Sequence, residues 1–189
     1  MCIQKETTAK NNIHVSIWKS SLPVLFLILL GSCHRDAYHY LKKRKYVECE
    51  LVGITAWKSD SYPRYEQFRD QTDQEQLKKY LFSKNVILKT YSYWALIEKS
   101  AHGYLQLFDR ALQETSKISQ KCGCRGETTS IASSAYFNFW YSQMVEEGDS
   151  LVFSAPQKLY RLDSMIFHHS IQDQELLEVV KMNGLYKGK

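Results

Sequence analysis

The sequence predicts an all-α domain of short antiparallel helix pairs that follows an apolar N-terminal segment. Two observations favour this fold class. Glycine and proline, which most often form turns and interrupt helices, are scarce, with 8 Gly and 3 Pro among 189 residues. In addition, apolar side chains recur at intervals of three and four residues over most of the chain after residue 84, as expected for amphipathic helices.

The first element is the apolar run from Leu22 to Leu30, which follows Lys19 and precedes the small residues Gly31 and Ser32. A positive start, an apolar centre of about 7–15 residues and small residues at the cleavage point are typical of a secretory signal peptide. Two other interpretations stay open. One is a retained transmembrane helix, which needs about 20 apolar residues, and the other is a buried N-terminal helix, which usually has a polar face.

The motif Leu30-Gly31-Ser32-Cys33 at the end of this run resembles the lipobox of bacterial lipoproteins. The resemblance implies that residues 1–32 are removed as a signal peptide and that Cys33 is acylated, which would anchor the mature chain in a membrane. Residues 33–36 would then form a lipid-anchored tether, and residues 37–189 a single helical domain of a size that can bury its own core.

The net charge of the chain limits the classes of partner that it is expected to bind. Residues 1–32 hold three lysines and one glutamate, so that their removal lowers the formal net charge from +5 to +3. Nucleic-acid-binding domains usually carry a more basic surface, and no nucleic-acid partner is predicted. The basic stretch at residues 42–45 follows the predicted anchor closely. It can contact anionic lipid head groups or form an ordinary solvated surface.

The elements of the mature chain follow in order. Residues 37–57 have roughly helical apolar spacing, although the alternation of Val47, Cys49 and Leu51 also fits a strand. Residues 58–63 are predicted to be a loop. Capping residues and apolar spacing then predict helices at about 74–82, 86–98, 105–112 and 130–144, and around 159–166 and 176–180.

Two of these segments resemble one unit of a HEAT-type helical repeat. Residues 91–99 and 104–112 would be its antiparallel helices, with the small Ala95 where they approach each other. More loosely, residues 84–183 resemble uncharacterised bacterial HEAT-like proteins that carry a Gly-Cys turn after this helix pair, here Cys122-Gly123-Cys124. The resemblance implies a HEAT-like array with a binding or scaffold surface in place of an active site.

Cys122-Gly123-Cys124 is the motif in this sequence that is most suited to covalent or metal-binding chemistry. With Cys49 it gives the mature chain three thiols besides Cys33. In an oxidising compartment, a disulfide from Cys49 to Cys122 or Cys124 would leave one thiol free. Unpaired packing thiols and a redox or metal-binding role are the alternatives. A structural zinc site needs four ligands, and no histidine lies at a ligand spacing from this motif, so that no metal or other cofactor is predicted.

The helix at 130–144 contains Tyr136-Phe137-Asn138-Phe139-Trp140-Tyr141 and is apolar on every face. Such a helix is buried or covered by a partner. Phe137 and Tyr141 are therefore candidate contacts with another protein, since aromatic residues are favoured at interfaces; core packing is the alternative. Glycine-rich phosphate loops, nucleophile elbows and zinc-protease helices do not occur in the sequence, and no catalytic residue is predicted.

Together these features predict a lipid-anchored protein of the bacterial cell envelope, at the periplasmic or outer-membrane face, that binds another protein or supports an assembly. A thiol-active or metal-binding protein that uses Cys122 or Cys124 is the alternative. The sequence favours binding over catalysis and identifies no small-molecule ligand.

Overall fold

The computed structural model describes residues 36–53, 55, 57–100, 102–123, 125–147, 150–168, 173–183 and 185. The predicted signal peptide, Cys33 and Cys124 lie outside these residues. The all-α prediction is wrong, because the described chain combines helices with a four-stranded mixed sheet and a two-stranded hairpin. The helices are therefore not stacked as a HEAT-like array. Within the described residues, no helix is both long and apolar enough to cross a membrane.

Helices and strands alternate in blocks along the chain. In order, they are α1 (residues 36–42), β1 (Val47–Val52), β2 (Trp57–Lys58), α2 (Tyr62–Gln71), α3 (Gln74–Tyr80), α4 (Val86–Lys99), α5 (Tyr104–Leu112), β3 (Lys117–Gly123), β4 (Arg125–Ser130), α6 (Ile131–Ser142), β5 (Met144–Glu147), β6 (Ser150–Phe153), α7 (Pro156–His168) and α8 (Gln174–Asn183).

The larger sheet has the strand order β2-β1-β3-β4. Strands β1 and β3 pair in parallel, whereas β1–β2 and β3–β4 are antiparallel. Of the two interpretations of residues 37–57, the strand is correct for Val47–Val52 and a helix for residues 36–42. Strands β5 and β6 form the separate hairpin, in a part of the chain for which no strand was predicted.

The predicted helices from residue 74 onward are confirmed, and α3, α4, α6 and α8 begin beside a residue whose side chain accepts a hydrogen bond from a backbone N–H. Asp73 accepts a hydrogen bond from the Gln76 backbone N–H at 2.8 Å, and Ser130 accepts one from the Ser133 N–H at 2.9 Å. Helix α2 was missed, and its first two residues were assigned to the loop predicted at residues 58–63. Pro63 lies in its first turn, a position that proline favours.

Helix α4 is the centre of the fold and contacts α2, α3, α5, α6 and the strands β1 and β3. Its Trp94 is fully buried, with the Tyr65 and Tyr91 ring centroids 5.4 and 5.2 Å from its own, both edge-on. The Trp94 indole N–H donates to Ser134 Oγ at 3.2 Å, which satisfies its one polar group. This cluster joins α2, α4 and α6 against the sheet.

A buried carboxylate fixes the first strand. Glu48 is 6% exposed and accepts hydrogen bonds from Ser59 Oγ at 2.6 Å and from Arg44 Nη2 at 3.3 Å. Burial alone would raise the pKa of Glu48, but the hydrogen bonds from Ser59 and Ser61 and the Arg44 charge hold it below its ordinary value. Glu48 is therefore ionised in the folded protein and links β1 to the segment before α2.

Because the pKa of Glu48 is lower in the folded than in the unfolded chain, its contribution is present above about pH 4.3 and is lost as pH falls through the folded-state value. We expect Glu48→Gln to lower the free energy of unfolding by about 1–3 kcal/mol at pH 7, with the gap to the parent narrowing below about pH 4. Urea titrations at several pH values measure this gap. The exposed Glu75→Gln is the matched control, and a gap independent of pH would contradict the assignment.

Candidate functional site

A cleft of about 470 Å³ opens where the sheet meets helices α2 and α6. Its residues come from five elements and include three residues that the sequence singled out: two cysteines and one aromatic residue. The described residues that line it are Cys49, Glu50, Leu51, Tyr62, Cys122, Gly123, Asn138, Tyr141, Ser142 and Met144. Its volume falls in the range of small-molecule sites, about 300–1,000 Å³.

An irregularity in strand β1 builds one wall of the cleft. Glu48 pairs with Lys121 and Val52 pairs with Gly123, so that β1 advances four residues while β3 advances two. Side chains of a regular strand alternate between two faces, but a bulge redirects them. This is the reason that three consecutive residues, 49–51, all line the cleft.

The turn of β3 completes this wall. Gly123 has a φ of +54°, a left-handed conformation that glycine adopts without a steric penalty. Its carbonyl oxygen accepts a hydrogen bond from the Gly53 backbone N–H at 2.6 Å, which joins the end of β1 to the end of β3. The glycine between the two cysteines of the motif therefore has a structural role at the end of the sheet.

A disulfide between Cys49 and Cys122 connects β1 and β3 at the cleft, with a Cα–Cα distance of 5.0 Å. Both residues are partly exposed. The buried Gln120 side chain lies behind them, and its Nε2 donates to Cys122 Sγ at 2.8 Å. The structure thus joins two of the three predicted thiols, whereas Cys124 lies outside the described residues.

A hydrogen-bonded carboxylate, Glu98, lies behind the lining residue Asn138. It accepts hydrogen bonds from Tyr65 Oη at 2.7 Å, Arg69 Nη1 at 3.0 Å and Asn138 Nδ2 at 2.5 Å. An ionised carboxylate only accepts hydrogen bonds, so the amide nitrogen of Asn138 faces it. The Asn138 carboxamide oxygen is consequently left for the cleft that this residue lines.

Tyr62 and Glu50 form the polar part of the lip. Burial, followed by the charges of Glu98 and Glu50, raises the pKa of Tyr62 to about 12. The phenol is therefore protonated at neutral pH. Glu50 is exposed, and neither its carboxylate nor the Tyr62 hydroxyl has a hydrogen-bond or ion-pair partner among the described residues.

The two predicted interface aromatics have different environments. Tyr141 is 56% exposed at the rim of the cleft. Phe137, one turn earlier on α6, is half-buried with its ring 6.1 Å from that of Tyr136, and it does not line the cleft. The structure therefore brings Tyr141 to the cleft that Cys49 and Cys122 line and places Phe137 outside that cleft.

Sequence reasoning missed Glu50, Tyr62 and Asn138, which supply the polar groups of the cleft. They lie on three different elements, and no short motif contains them. Asn138 could have been recognised from the sequence, because it is the only amide inside an otherwise aromatic stretch of α6. A polar residue in such a stretch is expected to have a hydrogen-bond partner, here Glu98.

The cleft combines a carboxylate, two tyrosine rings and apolar surface, an arrangement suited to holding a ligand. Among the described residues, no group of three or more His, Cys, Asp and Glu side chains is placed to hold a metal ion. Compared with models of known protein families, with curated proteins and with solved structures, the chain matches none of them.

Proposed function

We propose that this chain is a lipid-anchored protein of the bacterial cell envelope that binds a ligand in the cleft beside the Cys49–Cys122 disulfide. The observation that carries the proposal is the convergence of Cys49, Cys122 and Tyr141 on one cleft of about 470 Å³. A concave site with a few placed polar groups among apolar ones is the usual form of a ligand site.

Two features support the location. Disulfides form and persist in oxidising compartments such as the periplasm, and the Cys49–Cys122 bond fits a chain that is exported by the leader that the sequence predicts. The exposed side chains of Lys42, Lys43 and Lys45 follow the proposed anchor within about a dozen residues. Basic residues close to a lipid anchor are attracted to anionic head groups.

Mass spectrometry of the mature N-terminus tests the anchor. The full chain, expressed in a bacterium with its own leader, is expected to begin at Cys33 and to carry a diacylglyceryl group there. Cys33→Ser is expected to leave the membrane fraction. Cys2→Ser is the matched control, because Cys2 lies in the segment proposed to be removed. Intact Met1 with an unmodified Cys33 thiol would contradict the proposal.

Methyl NMR tests the ligand-binding role. The mature chain contains three methionines, and of these Met144 lines the cleft whereas Met165 packs against the core on α7. We expect some members of a fragment library of mixed charge to shift the ¹³C-methyl signal of Met144 and leave that of Met165 in place. A library that shifts neither signal, or both equally, would argue against the cleft as a ligand site.

Thiol–disulfide exchange is the second candidate, because both cysteines of the disulfide line the open cleft and are partly exposed. In that reaction a substrate thiolate attacks Cys122 Sγ, the S–S bond breaks, and Cys49 leaves as a thiolate. Acid trapping followed by alkylation of the protein in cells distinguishes the two functions. A binding protein is expected to have Cys49 and Cys122 fully oxidised, whereas an exchange protein is expected to show mixed disulfides at Cys122.

A further inference from the structure

We infer that the cleft takes a small molecule that carries an alkylammonium group. This inference rests on the proposed ligand-binding function and adds the charge and shape of the ligand. Its first support is charge. Glu50 is exposed at the lip and has no ion pair among the described residues, and none of the ten described residues that line the cleft is Lys, Arg or His. Glu98 behind it is paired with Arg69, so that Glu50 is the one negative charge that the described lining residues leave without an opposite charge.

The hydrogen-bonding groups of the cleft also favour an ammonium group. One N–H of the Asn138 amide donates to Glu98, and the carboxamide oxygen on the other side of the group remains an acceptor. The Tyr62 hydroxyl and the Glu50 carboxylate also lack partners in the described part of the chain. An ammonium group has three donors and no acceptor. The three oxygen-bearing groups named here can each accept one of its hydrogen bonds. A carboxylate or phosphate would meet no cationic side chain in this lining.

The remaining surface suits a cation with an apolar body. The rings of Tyr62 and Tyr141 line the cleft, and cations are attracted to the faces of aromatic rings. Leu51, Met144 and the disulfide supply apolar surface beside them. The volume of about 470 Å³ accommodates an alkyl chain in addition to the charged head.

The test uses n-butylammonium, with n-butanol and butyrate as neutral and anionic probes of similar size. They are titrated into the full lipid-anchored chain in zwitterionic nanodiscs, and the ¹³C-methyl signal of Met144 is followed with Met165 as the internal reference. We expect butylammonium to shift the Met144 signal saturably and with at least about fivefold higher affinity than butanol. Butyrate is expected to bind more weakly than butanol.

Two variants test whether Glu50 is the group that makes the cleft prefer a positively charged ligand. Glu50→Gln is expected to weaken butylammonium binding by about fivefold and to leave butanol binding unchanged. Because Glu50 is exposed and without a side-chain partner, the variant is expected to fold, and circular dichroism checks this. Glu178→Gln, an exposed carboxylate on α8 that does not line the cleft, is the matched control and is expected to change neither affinity.

Each outcome has a defined meaning. If butanol or butyrate shifts Met144 as strongly as butylammonium does, or if Glu50→Gln has no effect, the preference for a cation is wrong while the cleft remains a ligand site. If none of the three probes shifts Met144, the inference is overturned. The mass of the mature N-terminus tests the envelope location independently of all these results.

Discussion

Replacing Trp94 by alanine is expected to lower the free energy of unfolding by about 3–5 kcal/mol, the largest effect of any single substitution considered for this chain. Trp94 is fully buried on α4, packs edge-on against Tyr65 and Tyr91, and donates its indole N–H to Ser134. Alanine would leave a cavity, and the Ser134 hydroxyl would lose the hydrogen bond from the indole N–H. Urea unfolding followed by far-UV circular dichroism measures the loss without depending on tryptophan fluorescence.

Two variants make this result specific. Trp57→Ala removes the same side chain from β2, where it is 69% exposed, and it is expected to change the unfolding free energy by about 0.5 kcal/mol or less. Trp94→Phe keeps an aromatic ring in the core and is expected to fall between the parent and Trp94→Ala. Equal losses for Trp57→Ala and Trp94→Ala would show that the core is not centred on α4.

Removing the disulfide is expected to have an effect of similar size. Cys49 and Cys122 are 73 residues apart, and closing a loop of that length restricts the unfolded chain by about 4 kcal/mol in the chain-entropy treatment. We expect Cys49→Ala/Cys122→Ala to lower the free energy of unfolding by about 2–5 kcal/mol. Urea unfolding of parent and variant without reductant gives the difference.

Cys124 provides the matched control for this experiment. Cys124→Ala removes the other cysteine of the motif and is expected to leave the unfolding free energy within about 0.5 kcal/mol of the parent. Adding reductant to the parent is expected to reproduce the loss seen in the double variant. A large loss in Cys124→Ala together with a small loss in the double variant would refute the Cys49–Cys122 pairing.

Helices were predictable where a capping residue or a regular helical spacing of apolar residues was present. Helix α3 has Asp73 at its start, and α7 buries Leu159, Leu162 and Ile166 at helical intervals. Helix α2 was missed because only Tyr65 and Phe68 of its residues are buried, so that the apolar pattern is too short to identify. Its core contacts depend on α4, which lies later in the chain.

The strands were harder to predict from the sequence than the helices were. In β3 the inward residues are Ile118, Gln120 and Cys122, and Thr129 is the buried partner of Ile118 on β4. Two of these four side chains are amide or hydroxyl groups, so that the period-two alternation of hydrophobic residues that identifies a strand is nearly absent. The resemblance of the helix pair to a repeat unit then favoured an all-helical fold.

The candidate site was predictable only through residue type. Cys49, Cys122 and Tyr141 were identified because thiols and surface aromatics are chemically conspicuous. Glu50 was not, because its place at the lip depends on the irregular pairing of β1 with β3. A strand drawn with regular alternation would have put Glu50 on the opposite face from its two neighbours.

The parallel pairing of β1 with β3 also determines when this protein can fold. Helices α2 to α5 lie between the two strands in sequence, so that the central ladder of the sheet forms only after that whole segment has been synthesised. Such pairings have high contact order and are slow to form. A chain that crosses a membrane N-terminus first would thus emerge with β1 unpaired, and folding would be completed on the far side.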